Sequence, residues 1–108
     1  MIENKEPPFF LRRRCYERAV EKMKIHELKI EWKYYREIKS LRKKFEVRKN
    51  DRDFREGDFL IFNSISNIDG SLKREREIYR IGYILDNFEG LAQGYVAFSI
   101  KPTGLFND

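Results

Sequence analysis

Cysteine and histidine are almost absent from this sequence, because each occurs once, as Cys15 and His26. A single cysteine cannot form a disulfide within the chain, and one histidine is too few for the Cys/His sets that hold structural zinc. Cys15 lies beside Arg14 and Arg18, which can activate a thiol, but burial in a helix is the commoner role of a lone cysteine. We therefore predict a fold without a disulfide framework, a metal or a cofactor.

Long apolar runs are also missing. No stretch approaches the roughly 20 apolar residues that a transmembrane helix needs. Acidic residues and Pro7-Pro8 precede the first apolar segment, unlike the order found in a secretory signal. The sequence also lacks internal repeats and low-complexity segments. These absences favour a cytoplasmic protein that does not enter a membrane.

Charge is what the sequence has in abundance. Charged residues make up 38% of the 108 positions, enough to leave a heavily ionic surface around the core of one domain, and the net charge is +5. Residues 22–49 hold eleven basic and four acidic residues, a local charge of +7 that exceeds the total for the whole chain. A local excess of this kind is typical of a surface that binds a polyanion.

The first part of the chain has helical periodicity. Residues 1–24 are predicted to be an N-terminal extension, mostly one amphipathic helix. Its apolar face would contain Cys15, Tyr16, Ala19, Val20 and Met23. The domain itself is predicted to span residues 25–102, and Pro102 is expected to end its last strand. Residues 103–108 would then form a frayed tail.

Within the domain, the periodicity switches between strand and helix. Alternation predicts a first strand over 25–30, and three- and four-residue spacing predicts a helix over 31–41 with one apolar face. That face would contain Trp32, Tyr35, Ile38 and Leu41. Further strands are expected at 45–49, 58–63, 73–85 and 95–100, with a hairpin turn at Asp69-Gly70.

The strand over 45–49 is the most informative of these. Phe45 and Val47 alternate with Glu46 and Arg48, so the strand has an apolar face and a charged face. We expect Phe45 to pack in the core and the charged pair to face away from it. The inventory as a whole, five short strands with helices gathered in the first half, predicts an α+β fold: a small mixed or antiparallel β-barrel flanked by helices.

The segment from Leu41 to Arg48, Leu-Arg-Lys-Lys-Phe-Glu-Val-Arg, resembles the G-x-K-x-x-E-x-R signature of ASCH domains in the PUA-like superfamily. Further likeness to a bacterial and phage branch of the DUF3850 type lies in His26–Ile30, Phe45–Arg52, Phe54, Gly57-Asp58 and Gly94–Val96. The resemblance covers roughly residues 25–102. It implies a five- to six-stranded barrel with helices beside a cleft, and a role in binding RNA.

The resemblance also implies which side chains form the site. Lys43, Glu46 and Arg48 match the signature and would line the cleft, while Leu41 replaces the signature glycine at a place where a left-handed turn is expected. For nucleic-acid binding we predict the set Lys29, Tyr34, Lys43, Glu46, Arg48, Asn50 and Arg52. The basic members would contact phosphates or base edges. Glu46 and Asn50 would read base edges, and Tyr34 would stack on a base.

Three alternatives to RNA binding stay open. Some ASCH proteins hydrolyse N4-acetylcytidine with a lysine and a threonine on this strand, which makes Lys43 and Glu46 catalytic candidates although Glu46 replaces the threonine. An acidic protein is a second kind of partner for the basic surface. Finally, the pairs Glu46–Arg48 and Asp51–Arg52 would have a purely structural role if they only hold the loop in place. The oligomeric state is not predicted.

Overall fold

The computed structural model describes residues 23–107. The predicted N-terminal helix and Cys15 therefore lie outside the described residues. The described elements are β1 (Ile25–Glu31), α1 (Trp32–Lys39), β2 (Phe45–Lys49), β3 (Phe59–Ile65), β4 (Leu72–Leu85) and β5 (Tyr95–Phe106).

The five strands form one mixed sheet in the order β1-β3-β4-β5-β2. β1 runs parallel to β3, and the remaining neighbours are antiparallel. The sheet curls into a half-barrel in which the outermost strands, β1 and β2, approach each other. The predicted α+β class and small barrel-like sheet are thus confirmed, and the turn at Asp69-Gly70 joins β3 to β4 as expected.

Alternation of apolar residues places the core on the concave face of the sheet. Leu28 and Ile30 of β1 are buried there, as predicted, and so are Val96, Phe98 and Ile100 of β5. α1 covers this face with its own apolar side, where Tyr35 lies 5.7 Å, between ring centroids, from Phe62 of β3. Phe54, in the loop between β2 and β3, closes the core 5.1 Å from the ring of Phe98.

The prediction that Pro102 ends the last strand is wrong, because β5 continues to Phe106. Proline has no N–H to donate, but it is tolerated where a ladder is irregular. The pairing of β4 with β5 shifts register at this place, between Glu77 and Tyr79. The Thr103 hydroxyl donates to the Ile78 carbonyl oxygen at 2.8 Å, and Asn107 N–H donates to the Arg76 carbonyl oxygen at 2.9 Å.

The helix prediction needs one correction at its C-terminal end. α1 stops at Lys39, so Leu41 does not share the apolar face with Tyr35 and Ile38 and is instead exposed. Leu41 adopts a left-handed conformation with φ 66°. This turn redirects the chain from α1 towards β2, and the residues that follow it form the candidate site.

Candidate nucleic-acid interface

A cleft of about 420 Å³ opens where β1, α1 and β2 meet. It lies at the seam of the half-barrel, between the outermost strands of the sheet. The residues that line it are Lys29, Ile30, Glu31, Tyr34, Lys43, Phe45, Glu46, Val47, Arg48 and Ile65. Five of the seven side chains predicted for nucleic-acid binding are therefore brought together in one concavity.

The end of α1 determines where the signature residues lie. Leu41 N–H donates to the Ile38 carbonyl oxygen at 3.0 Å, and Arg42 N–H donates to the Glu37 carbonyl oxygen at 2.9 Å. These two bonds, with a left-handed residue at position 41, form a Schellman motif, which usually has glycine at that place. Leu41 therefore has the left-handed conformation that was expected at this position, and the chain continues into Lys43 and β2.

Glu46 is the buried centre of the cleft, with 5% of its surface exposed. It pairs with Phe98 of β5, so its carboxylate lies on the inner face of the half-barrel. Lys43 Nζ contacts Oε1, and Arg48 Nε donates to Oε2 at 2.8 Å. Lys43 Nζ also donates to the Phe45 carbonyl oxygen at 2.8 Å. Since charge-assisted bonds hold both carboxylate oxygens, the polar floor of the cleft is preorganised.

This arrangement reverses the predicted faces of β2. The expectation that Phe45 packs in the core is wrong, because Phe45 is 52% exposed and Val47 is exposed as well, while Glu46 is buried. The reason is that two neighbouring cations neutralise Glu46, which makes an inward carboxylate tolerable. The resemblance found in the sequence implied that Glu46 and Arg48 line a cleft, and that expectation was the signal for this orientation.

Two arginines bridge the seam between β1 and the segment that begins with β2. Arg48 Nη2 donates to the Lys29 carbonyl oxygen at 2.7 Å, and Arg52 Nη1 donates to the Glu27 carbonyl oxygen at 2.5 Å. Residues 27 and 29 are two apart on an edge strand, so their carbonyls point to the same side. Arg48 thus lines the cleft and also bridges the seam, whereas Arg52 bridges the seam but does not line the cleft.

Asn50 is also separate from the cleft. Its side-chain Oδ1 accepts a bond from Phe54 N–H at 2.9 Å, and its own N–H donates to the Gly94 carbonyl oxygen at 2.8 Å. It lines a different pocket, of about 330 Å³, together with the loop between β4 and β5 and the first residues of β5. These contacts give Asn50 a role in holding the loop that follows β2.

Aromatic rings form the outer part of the cleft. Tyr34 is 44% exposed, as its position off the apolar stripe of α1 predicted, and Lys33 Nζ lies 5.0 Å from its ring centroid. Lys43 Nζ lies at the same distance from the ring of Phe45. The cleft therefore combines open aromatic surfaces with a charged floor, and Lys29 adds a further cation at its wall. Such a combination suits a planar ring with polar edges that is linked to an anion.

A buried pair that the sequence reasoning did not single out anchors the loop before β3. His26 Nε2 lies 2.7 Å from Asp58 Oδ2, and both side chains are buried. The Asp58 carboxylate also accepts bonds from the N–H groups of Lys24 and Arg55, at 3.2 and 3.1 Å. Asp58, predicted only as part of a turn, thus ties β1 to the loop that carries Arg52 and Phe54.

In the described part of the chain, no helix is long and apolar enough to span a membrane. Residues 23–107 also contain no group of three metal-ligating side chains placed to hold an ion.

The chain was compared with curated proteins and with models of protein families. A search of curated proteins finds no match to this chain. A family model described as a domain of unknown function, DUF3850, matches residues 25–100. These residues run from the first residue of β1 into β5 and include the whole cleft. Because the match covers most of the sequence, the chain belongs to the DUF3850 family.

Proposed function

We propose that this protein is an RNA-binding module of the ASCH type, within the PUA-like superfamily, from a bacterial or phage cytoplasm. The observation that carries the proposal is the single cleft that holds Lys29, Tyr34, Lys43, Glu46 and Arg48. A basic and aromatic concavity in the most positively charged third of the sequence is the combination that single-stranded nucleic acid requires.

Each part of the cleft has a place in this proposal. The exposed ring of Tyr34 stacks on an unpaired base, and the walls formed by Phe45 and Val47 exclude water from it. The polar floor reads the edge of the base, because Lys43 and Arg48 keep N–H donors beyond those used on Glu46. Lys29 neutralises the phosphate that follows this base in the RNA. Recognition of a splayed base, rather than a duplex, fits a concavity of about 420 Å³.

Binding of a short single-stranded RNA, followed by fluorescence anisotropy, tests the proposal. Tyr34→Ala should weaken binding by roughly tenfold, because stacking contributes about 1–3 kcal/mol per base. Tyr83→Ala is the matched control, since Tyr83 is an exposed tyrosine of β4 that does not line the cleft. The affinity should also fall steeply with added salt. Equal loss in both variants, or no binding to any RNA or DNA oligonucleotide at low salt, would contradict the proposal.

Hydrolysis of a modified nucleoside is the alternative that one contact favours. Lys43 Nζ and Glu46 Oε1 are in direct contact, which brings together the two groups that would handle protons during hydrolysis of an amide. Incubation with N4-acetylcytidine, followed by chromatography, distinguishes the two functions. If cytidine is released, and Lys43→Ala abolishes the release, the protein is an amidohydrolase. If the nucleoside is unchanged while the same protein binds RNA, the function is binding.

A third outcome concerns an acidic protein as the partner of the basic surface. Binding to such a partner would survive nuclease treatment and would not require Tyr34, because stacking on a base has no part in it. Competition between the RNA probe and a polyglutamate peptide measures this directly. Displacement of the probe from wild-type protein, with equal peptide affinity for Tyr34→Ala, would favour the protein partner.

A further inference from the structure

A second cavity, of about 310 Å³, lies beside the start of α1 and the turn between β3 and β4. It has no lining residue in common with the cleft at the seam. Its lining residues are Trp32, Ser64, Ser66, Asn67, Ile68, Ser71, Lys73 and Glu75. The proposed RNA-binding function does not use any of these residues.

Glu75 is the unusual member of this set, because only 3% of its surface is exposed. Its Oε2 accepts a hydrogen bond from the Ser64 hydroxyl at 2.5 Å. Among residues 23–107, no basic side chain lies within 4.0 Å of its carboxylate, and Oε1 accepts no hydrogen bond. No buried side-chain oxygen or nitrogen of the described residues lacks a hydrogen-bond partner, so Oε1 is open to the cavity that Glu75 lines, where a cation can reach it.

Two other acids of the sheet, Glu46 and Glu77, allow a comparison with Glu75. Glu46 is buried to a similar degree, but it contacts both Lys43 and Arg48. Glu77, which is two residues after Glu75 on the same side of β4, is only half-buried and accepts a bond from the Tyr35 hydroxyl at 2.9 Å. Glu75 is the most buried of the three, and within the described residues its carboxylate has one neutral donor, as Glu77 has, whereas Glu46 has two cations.

An aromatic wall completes the site. Trp32 is half-buried, lines the cavity, and packs against Tyr35 with ring centroids 6.2 Å apart. A tryptophan beside a carboxylate is a combination that recognises organic cations, because the ring face and the negative charge both attract a positive group. The hydroxyls of Ser66 and Ser71 at the same cavity provide further acceptors for N–H groups.

We propose that this cavity binds a small organic cation, a primary amine or guanidinium carried on an apolar frame. The cationic head donates to Oε1 of Glu75, and the frame lies against Trp32. The cavity can hold a ligand of this size, since it is of the order of the smallest ligand pockets, about 300 Å³. Lys73 lines the same cavity and is exposed, so its ammonium group competes with the ligand for the carboxylate of Glu75.

Trp32 makes the proposal directly measurable, because it is the single tryptophan of the chain. Titration with 2-phenylethylamine should change its fluorescence in a saturable way, and 2-phenylethanol, which has a similar shape without the charge, should bind at least several-fold more weakly. Glu75→Gln should weaken binding of the amine about tenfold, since it removes the negative charge of the acceptor and leaves a weaker hydrogen bond. Lys73→Met should strengthen it by removing the competing cation.

Glu77→Gln is the matched control, because it changes the next inward acid of β4 outside the cavity, and it should alter the affinity little. Thermal unfolding establishes that each variant is folded. If Glu75→Gln does not fold, the comparison of amine with alcohol on the wild-type protein decides by itself. Equal responses to amine and alcohol, no saturable response, or unchanged affinity in folded Glu75→Gln would each overturn the proposal. None of these results depends on whether the protein binds RNA.

Discussion

Leu41 shows how one residue can hold a site in position at a cost in stability. Its φ of 66° is in the left-handed region, which an L-residue with a side chain adopts at a cost of roughly 1–2 kcal/mol. The Schellman bonds to the carbonyl oxygens of Glu37 and Ile38 require this conformation. The backbone strain at Leu41 is therefore the cost of forming the turn that leads from α1 to Lys43.

Replacing Leu41 by glycine should stabilise the protein. Glycine removes the strain but adds freedom to the unfolded chain, so we expect a net gain of about 0.5–1 kcal/mol in the free energy of unfolding. Loss of apolar contacts will be small, because the side chain is exposed. Urea denaturation measures the change, with Leu41→Ala as the control that keeps a Cβ at this φ. A glycine variant no more stable than the alanine variant would disprove the strain.

At the scale of elements, the important feature is the seam where the half-barrel fails to close. β1 and β2 are the edge strands of the sheet and do not pair with each other. Guanidinium groups take the place of a strand ladder, because Arg48 and Arg52 donate to the carbonyl oxygens of Lys29 and Glu27. Unpaired edge carbonyls are thereby satisfied, and the space that a closed ladder would fill is available for the cleft.

Removing one of these bridges should loosen β1. We expect Arg52→Ala to lower the free energy of unfolding by about 1 kcal/mol, the usual net contribution of a hydrogen bond. Arg55→Ala is the control from the same loop, since Arg55 pairs at 3.0 Å with Asp53 and both side chains are exposed. That change should cost less than about 0.5 kcal/mol. Hydrogen exchange of the β1 amides measures the local effect, and equal exchange in both variants would refute the bridge.

At the scale of the whole molecule, two phenols lie between α1 and the sheet. Tyr35 and Tyr79 are buried in the core, with ring centroids 6.5 Å apart. Burial raises the pKa of Tyr35 far above the ordinary value near 10 and also raises the pKa of Tyr79, and the negative charge of Glu77 raises both further. The unfolded chain therefore releases these two protons at a lower pH than the folded protein does.

The raised pKa values predict how stability depends on alkaline pH. Their contribution is fully present below the unfolded pKa of about 10 and is lost as pH rises from there towards the folded pKa, at roughly 1.4 kcal/mol per pH unit for Tyr35. In Tyr35→Phe, the free energy of unfolding should fall less steeply above this pH, by about that amount per pH unit. Urea denaturation across the alkaline range measures the slopes, with Tyr83→Phe as the control for an exposed tyrosine. An unchanged slope in Tyr35→Phe would contradict the assignment.

The local elements followed from the sequence alone. Alternation predicted the strands to within a few residues, apart from the C-terminal end of β5, because their inner faces at positions such as Leu28, Val96 and Phe98 must be apolar. Three- and four-residue spacing predicted α1, and Asp69-Gly70 predicted its hairpin. The segment from Leu41 to Arg48 likewise indicated where a cleft would be found, because its polar residues are close together in the sequence and lie in or just before β2.

Tertiary structure alone decided which faces are buried and which side chains meet. Glu46 lies inward and Phe45 outward because Lys43 and Arg48 neutralise the carboxylate, an energy balance that no hydrophobic pattern contains. Arg52 reaches the Glu27 carbonyl oxygen, 25 positions away, only because the curled sheet brings its edges together. The same long-range packing places Glu75 beside Ser64 and Trp32. Sequence determined the elements of this protein, and the curling of the open sheet determined its sites.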